Sequence, residues 1–400
     1  MLGFIRRGQS RRILQALAVE DAREREQAKK RLGEHSFSRM DLPLLYGATR
    51  RGYPDDGEDL FSTRSKLLRV LWEVNDAGTP RFIADIYPSL PDNKDTRFAA
   101  LRVLSGMNTR ESVETLVKIL LRDKPDLGYA YPLFLPFEEE PRHASLLFPR
   151  LFNLLEDDKY KYAVYCLAVS LRDKKALDDK VFQACRGRLL EDLAHARAQR
   201  RRLAKDTEAY AEAVDLLAVT ADCLGAFPGD AEVMGFLRSL LDDPSPEVVL
   251  WAADSLTRNG GNVPGPVFLK LAANPETRLD LYNALAAAGQ VRLFPEEYLT
   301  QYHFAEADMV RWLTFPTEFG RAPDRIELLA EKEVETDGER GRVYLFKYRY
   351  AGDEDGWMVG LSGPQPMEKD EVATGGGYTF SHFKRLDEMS VEEHFRSFLD

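Results

Sequence analysis

The stretch DDPSPEVVLWAADSL, Asp242 to Leu256, decides how this chain is read. Two prolines among acidic and hydroxyl residues end one helix and clear the ground for another, because proline cannot continue a helix and turns its predecessor away from α geometry. The string that follows is part of a series. Ala253-Asp254-Ser255-Leu256 echoes Ala221-Asp222-Cys223-Leu224 from 32 residues earlier, and Asn283-Ala284-Leu285 comes 29 residues later. In the first half Leu68-Arg69-Val70-Leu71 recurs unchanged as Leu101-Arg102-Val103-Leu104, a shift of 33. Partner helices accompany these strings. In Ser112–Leu121 (SVETLVKILL), Val113, Leu116, Val117 and Leu120 make one apolar stripe, as Val233, Phe236, Leu237 and Leu240 do in Glu232–Leu241. Further breaks fall at Gly260-Gly261-Asn262 and Asn274-Pro275. A helical pair of this length cannot bury its apolar face alone, whereas stacked pairs form one continuous core.

These strings resemble the HEAT-repeat family, in particular the short bacterial variety of phycobilisome-lyase-like proteins. The likeness rests on Asp242-Asp243-Pro244-Ser245-Pro246-Glu247-Val248 with Ala252-Ala253-Asp254-Ser255-Leu256, and it covers residues 60–122 and 205–290. It implies an armadillo-like α-α superhelical solenoid. Neither the tetratricopeptide Trp-Leu-Gly-Tyr spacing nor an ankyrin Thr-Pro-Leu-His string is present. Between the two regions the pattern degenerates. Tyr129–Phe137 reads as a distorted helix or packed loop, and Val181–Asp206 as a longer helix ending in Arg197, Arg200, Arg201, Arg202 and Lys205.

Near Arg325 the apolar period falls from helical to two. Arg342–Tyr350 (RVYLFKYRY) places Tyr344, Phe346, Tyr348 and Tyr350 on one face and Val343, Leu345, Lys347 and Arg349 on the other. With strands at Ile326–Glu335 and Trp357–Ser362, joined through Asp337-Gly338 and Gly352–Gly356, this predicts an antiparallel meander closed by Gly363-Pro364-Gln365-Pro366. Thr374–Gly377 is a link to a short strand, and Val391–Leu399 a closing helix. Three strands alone are marginal, and the last face of a solenoid needs cover, so the sheet is expected to pack on the final helical pair. The chain thus divides into a charged helical segment (1–40), a HEAT-like solenoid (41–324) and a β module (325–400). Within the first segment Ile13, Leu14, Leu17 and Val19 should face inward, while Glu20–Arg31 (EDAREREQAKKR) reads as a solvated helix. Arg6, Arg7, Arg11 and Arg12 precede the first acidic residue, so the alternative for this start is a targeting segment.

The 400 residues carry 55 Lys and Arg against 66 Asp and Glu, a net charge of −11, with 44% hydrophobic and 30% charged residues. This excludes wholesale disorder and a disulfide scaffold, and an acidic chain is a poor default binder of nucleic acid. From Arg325 onward 17 acidic and 10 basic residues hold −7 of the −11. The longest apolar runs fall short of a membrane span. Three cysteines, Cys166, Cys185 and Cys223, without a CxxC pair, suit a reducing, cytoplasmic setting.

Catalytic signatures are missing. The sequence has no HExxH, GxSxG, GxGxxG or CxxC string. Glu191 with His195, and Glu392-Glu393-His394, fall short of the ligand number zinc requires. No cofactor, metal or catalytic residue is therefore expected, and the reading is a non-enzymatic protein–protein interaction scaffold with a protein partner. Two surfaces are candidates for that contact. One is the column two residues before each repeat leucine, Arg69, Arg102, Asp222, Asp254 and Asn283, basic in its first half and acidic or neutral in its second. Such polarity sets orientation and partner choice. The other is Arg197, Arg200, Arg201 and Arg202, in a segment of net +5 from Arg186 to Lys205. Two alternatives stand beside the scaffold. The family resemblance implies a bilin lyase or an alkylpurine DNA glycosylase, the latter needing a basic groove, an aromatic and a carboxylate, for which Trp251, Asp254 and the arginines are the available residues. The third is a regulatory or immunity-type protein that recognises its partner through the aromatic β module.

Overall fold

The computed structural model describes residues 2–55, 62–91, 94–126, 131–205, 207–315, 318–336, 339–352, 356–366, 380–382 and 384–399. The expected joints at Asp337-Gly338 and Thr374–Gly377, the centre of the Gly352–Gly356 turn, and Tyr129 with Ala130 lie outside them. The fold is mainly helical, with a small antiparallel sheet at the C-terminus. Contacts divide the chain into two compact units, Met1–Asp192 and Leu193–Asp400. No described helix is long and apolar enough to cross a membrane.

The first unit holds α1 (Leu2–Ala16), α2 (Ala22–Glu34), α3 (Leu42–Thr49), α4 (Thr63–Val74), α5 (Thr79–Ile86), α6 (Lys94–Met107) and α7 (Arg110–Asp123). Then come the short α8 (Leu135–Glu139) and α9 (Ala144–Leu147), followed by α10 (Asp158–Asp173) and α11 (Asp179–Arg200), within which the division falls. The repeated LRVL strings lie on α4 and α6, which pack side by side, while α5 packs on α7. Leu71 and Leu104 are both fully buried. Ile13, Leu14 and Leu17 are buried as expected.

The charged stretch after them is different from its expectation. On α2 the residues Arg25, Ala28, Lys29 and Leu32 form a buried stripe. Lys29 Nζ lies 3.1 Å from Asp55 Oδ2, and that oxygen also accepts the Thr63 N–H at 3.0 Å and hydroxyl at 2.9 Å at the start of α4. A carboxylate supplied from outside the helix makes two basic side chains into core residues.

The second unit contains α12 (Glu208–Leu224), α13 (Ala231–Leu240), α14 (Pro246–Arg258), α15 (Gly265–Ala273), α16 (Pro275–Ala287) and α17 (Gln301–Thr314). Here α12 packs on α14, α14 on α16, and α16 on α17, with α13 and α15 between them in sequence. Ser245 is the N-cap of α14, with Pro246 at its first position, where the missing N–H costs nothing. Leu224, Leu256 and Leu285 are all buried.

The sheet begins at Arg325, where the period changes. Its strands β1 (Arg325–Thr336), β2 (Glu339–Arg349), β3 (Met358–Pro366) and β4 (Phe380–His382) pair in that order, and the two-residue β5 (Lys384–Arg385) also pairs with β3. β3 runs through Gly363–Pro366, which the sequence reads as its terminator; a register shift opposite Arg342–Tyr344 accommodates the two prolines. Tyr344, Phe346, Tyr348 and Tyr350 bury one face against Ala305, Met309 and Leu313 of α17. On the other face Val343, Leu345, Val359 and Leu361 pack with Phe395 of α18 (Val391–Leu399). The sheet therefore lies between α17 and α18. The side chains of Tyr344, Phe346, Tyr348 and Tyr350 are thus part of the core and do not form an exposed aromatic face.

Candidate functional site

α12, α14 and α16 carry acidic residues at a common spacing. Asp215 and Asp222 are seven residues apart on α12, as are Glu247 and Asp254 on α14; on α16 Glu276 precedes Asn283 by the same interval, with Asp280 between. Seven residues are nearly two turns, so each pair shares a helix face. The three helices pack in succession, which turns the pairs into two rows.

The row nearer the helix C-termini is braced. Arg258 Nε lies 2.8 Å from Asp254 Oδ2, and Arg258 Nη2 bonds the Asp222 carboxylate. The same nitrogen donates to the Asp222 carbonyl at 3.1 Å. The Ser255 hydroxyl donates to the Ala221 carbonyl at 2.8 Å, so the end of α12 is capped from α14. Burial pushes the Asp254 carboxyl above its ordinary range, with Arg258 opposing and Asp222 reinforcing the shift. Asn283 is exposed.

The row nearer the N-termini is open. Asp215, Glu247 and Glu276 are exposed, and none has an ion-pair partner among the described residues. Desolvation by the surrounding helices holds the Glu247 carboxyl above its usual range, and repulsion from Asp215, Asp280 and Glu276 adds to it. Asp215 is raised by desolvation and by Glu212, and Glu276 by desolvation. Beside Glu276 opens a cleft of about 470 Å³, lined also by Glu306, Val310, Asp324 and Ile326. Glu306 is occupied there, accepting from the buried Arg278 at 2.8 Å. Sequence reading found the braced row and missed the open one, although a step of seven back from each member of the column would have reached it.

The other candidates fall elsewhere. Arg69 is exposed on α4, with its Nε 3.4 Å from Glu73; Arg102 on α6 is half-buried, its guanidinium 5.9 Å from the Phe98 ring centre. In the basic cluster Arg201 and Arg202 are exposed, but Arg197 donates to the Ser239 hydroxyl at 2.9 Å. Arg200 is buried and forms a two-pronged pair with Asp243 at 2.7 and 2.5 Å. Asp243 in turn accepts the N–H of Ser245, the N-cap of α14, at 3.0 Å. Arg200 thus anchors α14 and is no part of a surface patch, which leaves the cluster as two exposed arginines with Lys205. Glu191 and His195 are exposed, whereas His394, on α18, is fully buried. Among the described residues no three His, Cys, Asp or Glu side chains are grouped to hold a metal ion. None of the three cysteines is in a disulfide; Cys185 and Cys223 are buried and Cys166 is half-buried. Comparison with protein-family models, curated proteins and solved structures finds no match for this chain.

Proposed function

We propose that this protein is an interaction scaffold in which HEAT-like helical pairs pile up in line, and that the α12–α14–α16 face grips a basic segment of a protein partner. One observation carries the reading. Three carboxylates on successive helices are exposed yet partly desolvated, the central one, Glu247, is repelled by the other two, and none has an ion-pair partner among the described residues. Such charge works against folding, and a site that weakens the fold is where function usually resides. A lysine- or arginine-bearing segment supplies the missing positive charge, and its attraction to the face sets orientation and on-rate. The glycosylase-like alternative gains no support from Asp254, whose carboxylate is engaged with Arg258.

A fluorescein-labelled nonapeptide of lysines tests this by anisotropy at 50 mM salt. The intact chain should bind it, more weakly as salt rises. Asp215→Asn, Glu247→Gln and Glu276→Gln combined should lower affinity by about tenfold or more, on the scale of about 1.4 kcal/mol per decade. Equal affinity of the triple variant and the parent chain would refute the assignment.

A further inference from the structure

We propose that the α4–α6 face of the first unit is a second docking surface, built for an acidic peptide segment with an apolar or aromatic side chain. It goes beyond the reading above, involving another unit, the opposite charge and a different probe.

The sequence repeat places its parts. Arg69 and Arg102 occupy the same position in the LRVL strings of two helices that pack side by side, so they stand about 10 Å apart on one face. Trp72, one turn beyond Arg69, is among the exposed large hydrophobic residues at 38%. Its indole lies against α6 at Gly106: a Cβ there would fall 2.5 Å from Nε1 and 2.6 Å from Cε2. Glycine at 106 therefore lets the ring rest on the helix backbone, fixing one side of the indole and leaving part of it to solvent. The half-buried Lys66 lies one turn before Arg69 on the same stripe. Against Lys66, Arg69 and Arg102 stand Glu73, which pairs with Arg69, and Asp95, seven residues before Arg102 on α6. The Arg102 guanidinium lies over Phe98 and has no carboxylate partner among the described residues.

A held tryptophan one turn from two arginines is the composition that dominates interface energetics. The ring costs little side-chain entropy to use, since it is already immobile. Two guanidiniums about 10 Å apart match carboxylates three residues apart on a polyproline-II segment, which has three residues per turn and rises about 3.1 Å per residue, with an apolar side chain of the same segment reaching the indole. The charge complementarity selects an acidic peptide over a basic one. The strongly negative chain as a whole selects it over nucleic acid, whose density of phosphates requires a broader basic surface.

A labelled nonapeptide of eight glutamates around a central phenylalanine is the probe, with anisotropy and tryptophan emission as readouts at 50 mM salt. Binding and a change in emission are expected, and Trp72→Phe should abolish the emission change. Arg69→Ala with Arg102→Glu should weaken binding by about tenfold or more. Gly106→Ala, which displaces the indole and leaves both arginines, should weaken it less and match the affinity of a peptide with glycine at its centre. Far-ultraviolet circular dichroism checks that each variant is folded. The surface is refuted if the parent chain fails to bind, if the arginine variant binds as the parent does, or if oligo-dT binds more tightly than the peptide. The lysine nonapeptide addresses only the α12–α14–α16 face, so each reading can fail without the other.

Discussion

At the scale of single residues, two carboxylates show how environment decides what the same group does. Glu247 is held above its ordinary value of 4.5 by desolvation and by three neighbouring acids. The folded chain then binds that proton more tightly than the unfolded chain does. The resulting stabilisation is complete below 4.5 and is lost as pH rises through the folded value, so at neutral pH the charged group opposes folding. Asp55 is the reverse. Burial would push it up, but hydrogen bonds from Lys29 and from the Thr63 hydroxyl and N–H prevail and hold it below 3.8. Its contribution is present above 3.8 and is lost as pH falls through the folded value. Urea unfolding at pH 7 should therefore move in opposite directions. Glu247→Gln should raise the midpoint, with the gain shrinking toward acid pH as Glu247 in the parent chain protonates. Asp55→Ala should cost about 1–3 kcal/mol, because the buried Thr63 N–H loses its acceptor and Lys29 keeps only the exposed Glu26 as an ionic partner. A lower midpoint for Glu247→Gln at pH 7 would show that its charge is compensated. Neither residue stands out in the sequence, and the reason is physical. The Asp55 partner on α2 is 26 residues away, and the Asp243 partner that removes Arg200 from the surface is 43 residues away. Charge patterning along a helix does not reveal such pairings, which is why EDAREREQAKKR and the arginine cluster both look more solvated than they are.

Elements were more legible, since their signals are local and periodic. The alternation in RVYLFKYRY gives two faces of β2, and both are used: aromatics toward α17, Val343 and Leu345 toward α18. The recurring leucines give the registers of α4, α6, α12, α14 and α16, and all five are buried. β3 was harder to read. Gly363-Pro364-Gln365-Pro366 has the composition of a turn, but pairing with Gly341 and Arg342 carries the strand across it. How α18 is held on this sheet can be decided by magnitude. Lys332 and Glu392 form an ion pair at 2.7 Å with both side chains well exposed, an arrangement that solvent screens and that contributes little. Phe395 is buried against Val343, Leu345, Val359 and Leu361, and removing such a ring costs about 3–5 kcal/mol. Phe395→Ala should therefore speed hydrogen exchange at the amides of β3 by orders of magnitude, whereas Glu392→Gln should leave it nearly unchanged. Comparable exchange in the two variants would mean that the ring is not the fastener.

On the scale of the whole molecule, what needs explaining is why the helices of the second unit are followed by a sheet. Within the second unit, the face of α17 that bears Ala305, Met309 and Leu313 is covered by the aromatic side of β2 together with Phe319, Ile326 and Met358. The fit is close at Gly360, where any Cβ would collide with the Met309 side chain. A terminal element with an exposed apolar face makes a stack insoluble, and natural stacks end in a polar cap. The sheet meets this need by placing a second, smaller core and the charged α18 beyond the first. Removing residues 325–400 should therefore cause aggregation, measured by light scattering and gel filtration. The same truncation carrying Met309→Lys and Leu313→Glu should recover solubility, because those changes give α17 the polar face of a natural terminal helix. The recovered chain should also still bind the lysine nonapeptide, since Asp215, Glu247 and Glu276 all precede the cut. A truncated chain that stays soluble and folded without those changes but no longer binds the peptide would reverse the assignment, making the sheet the recognition element and the helices its support.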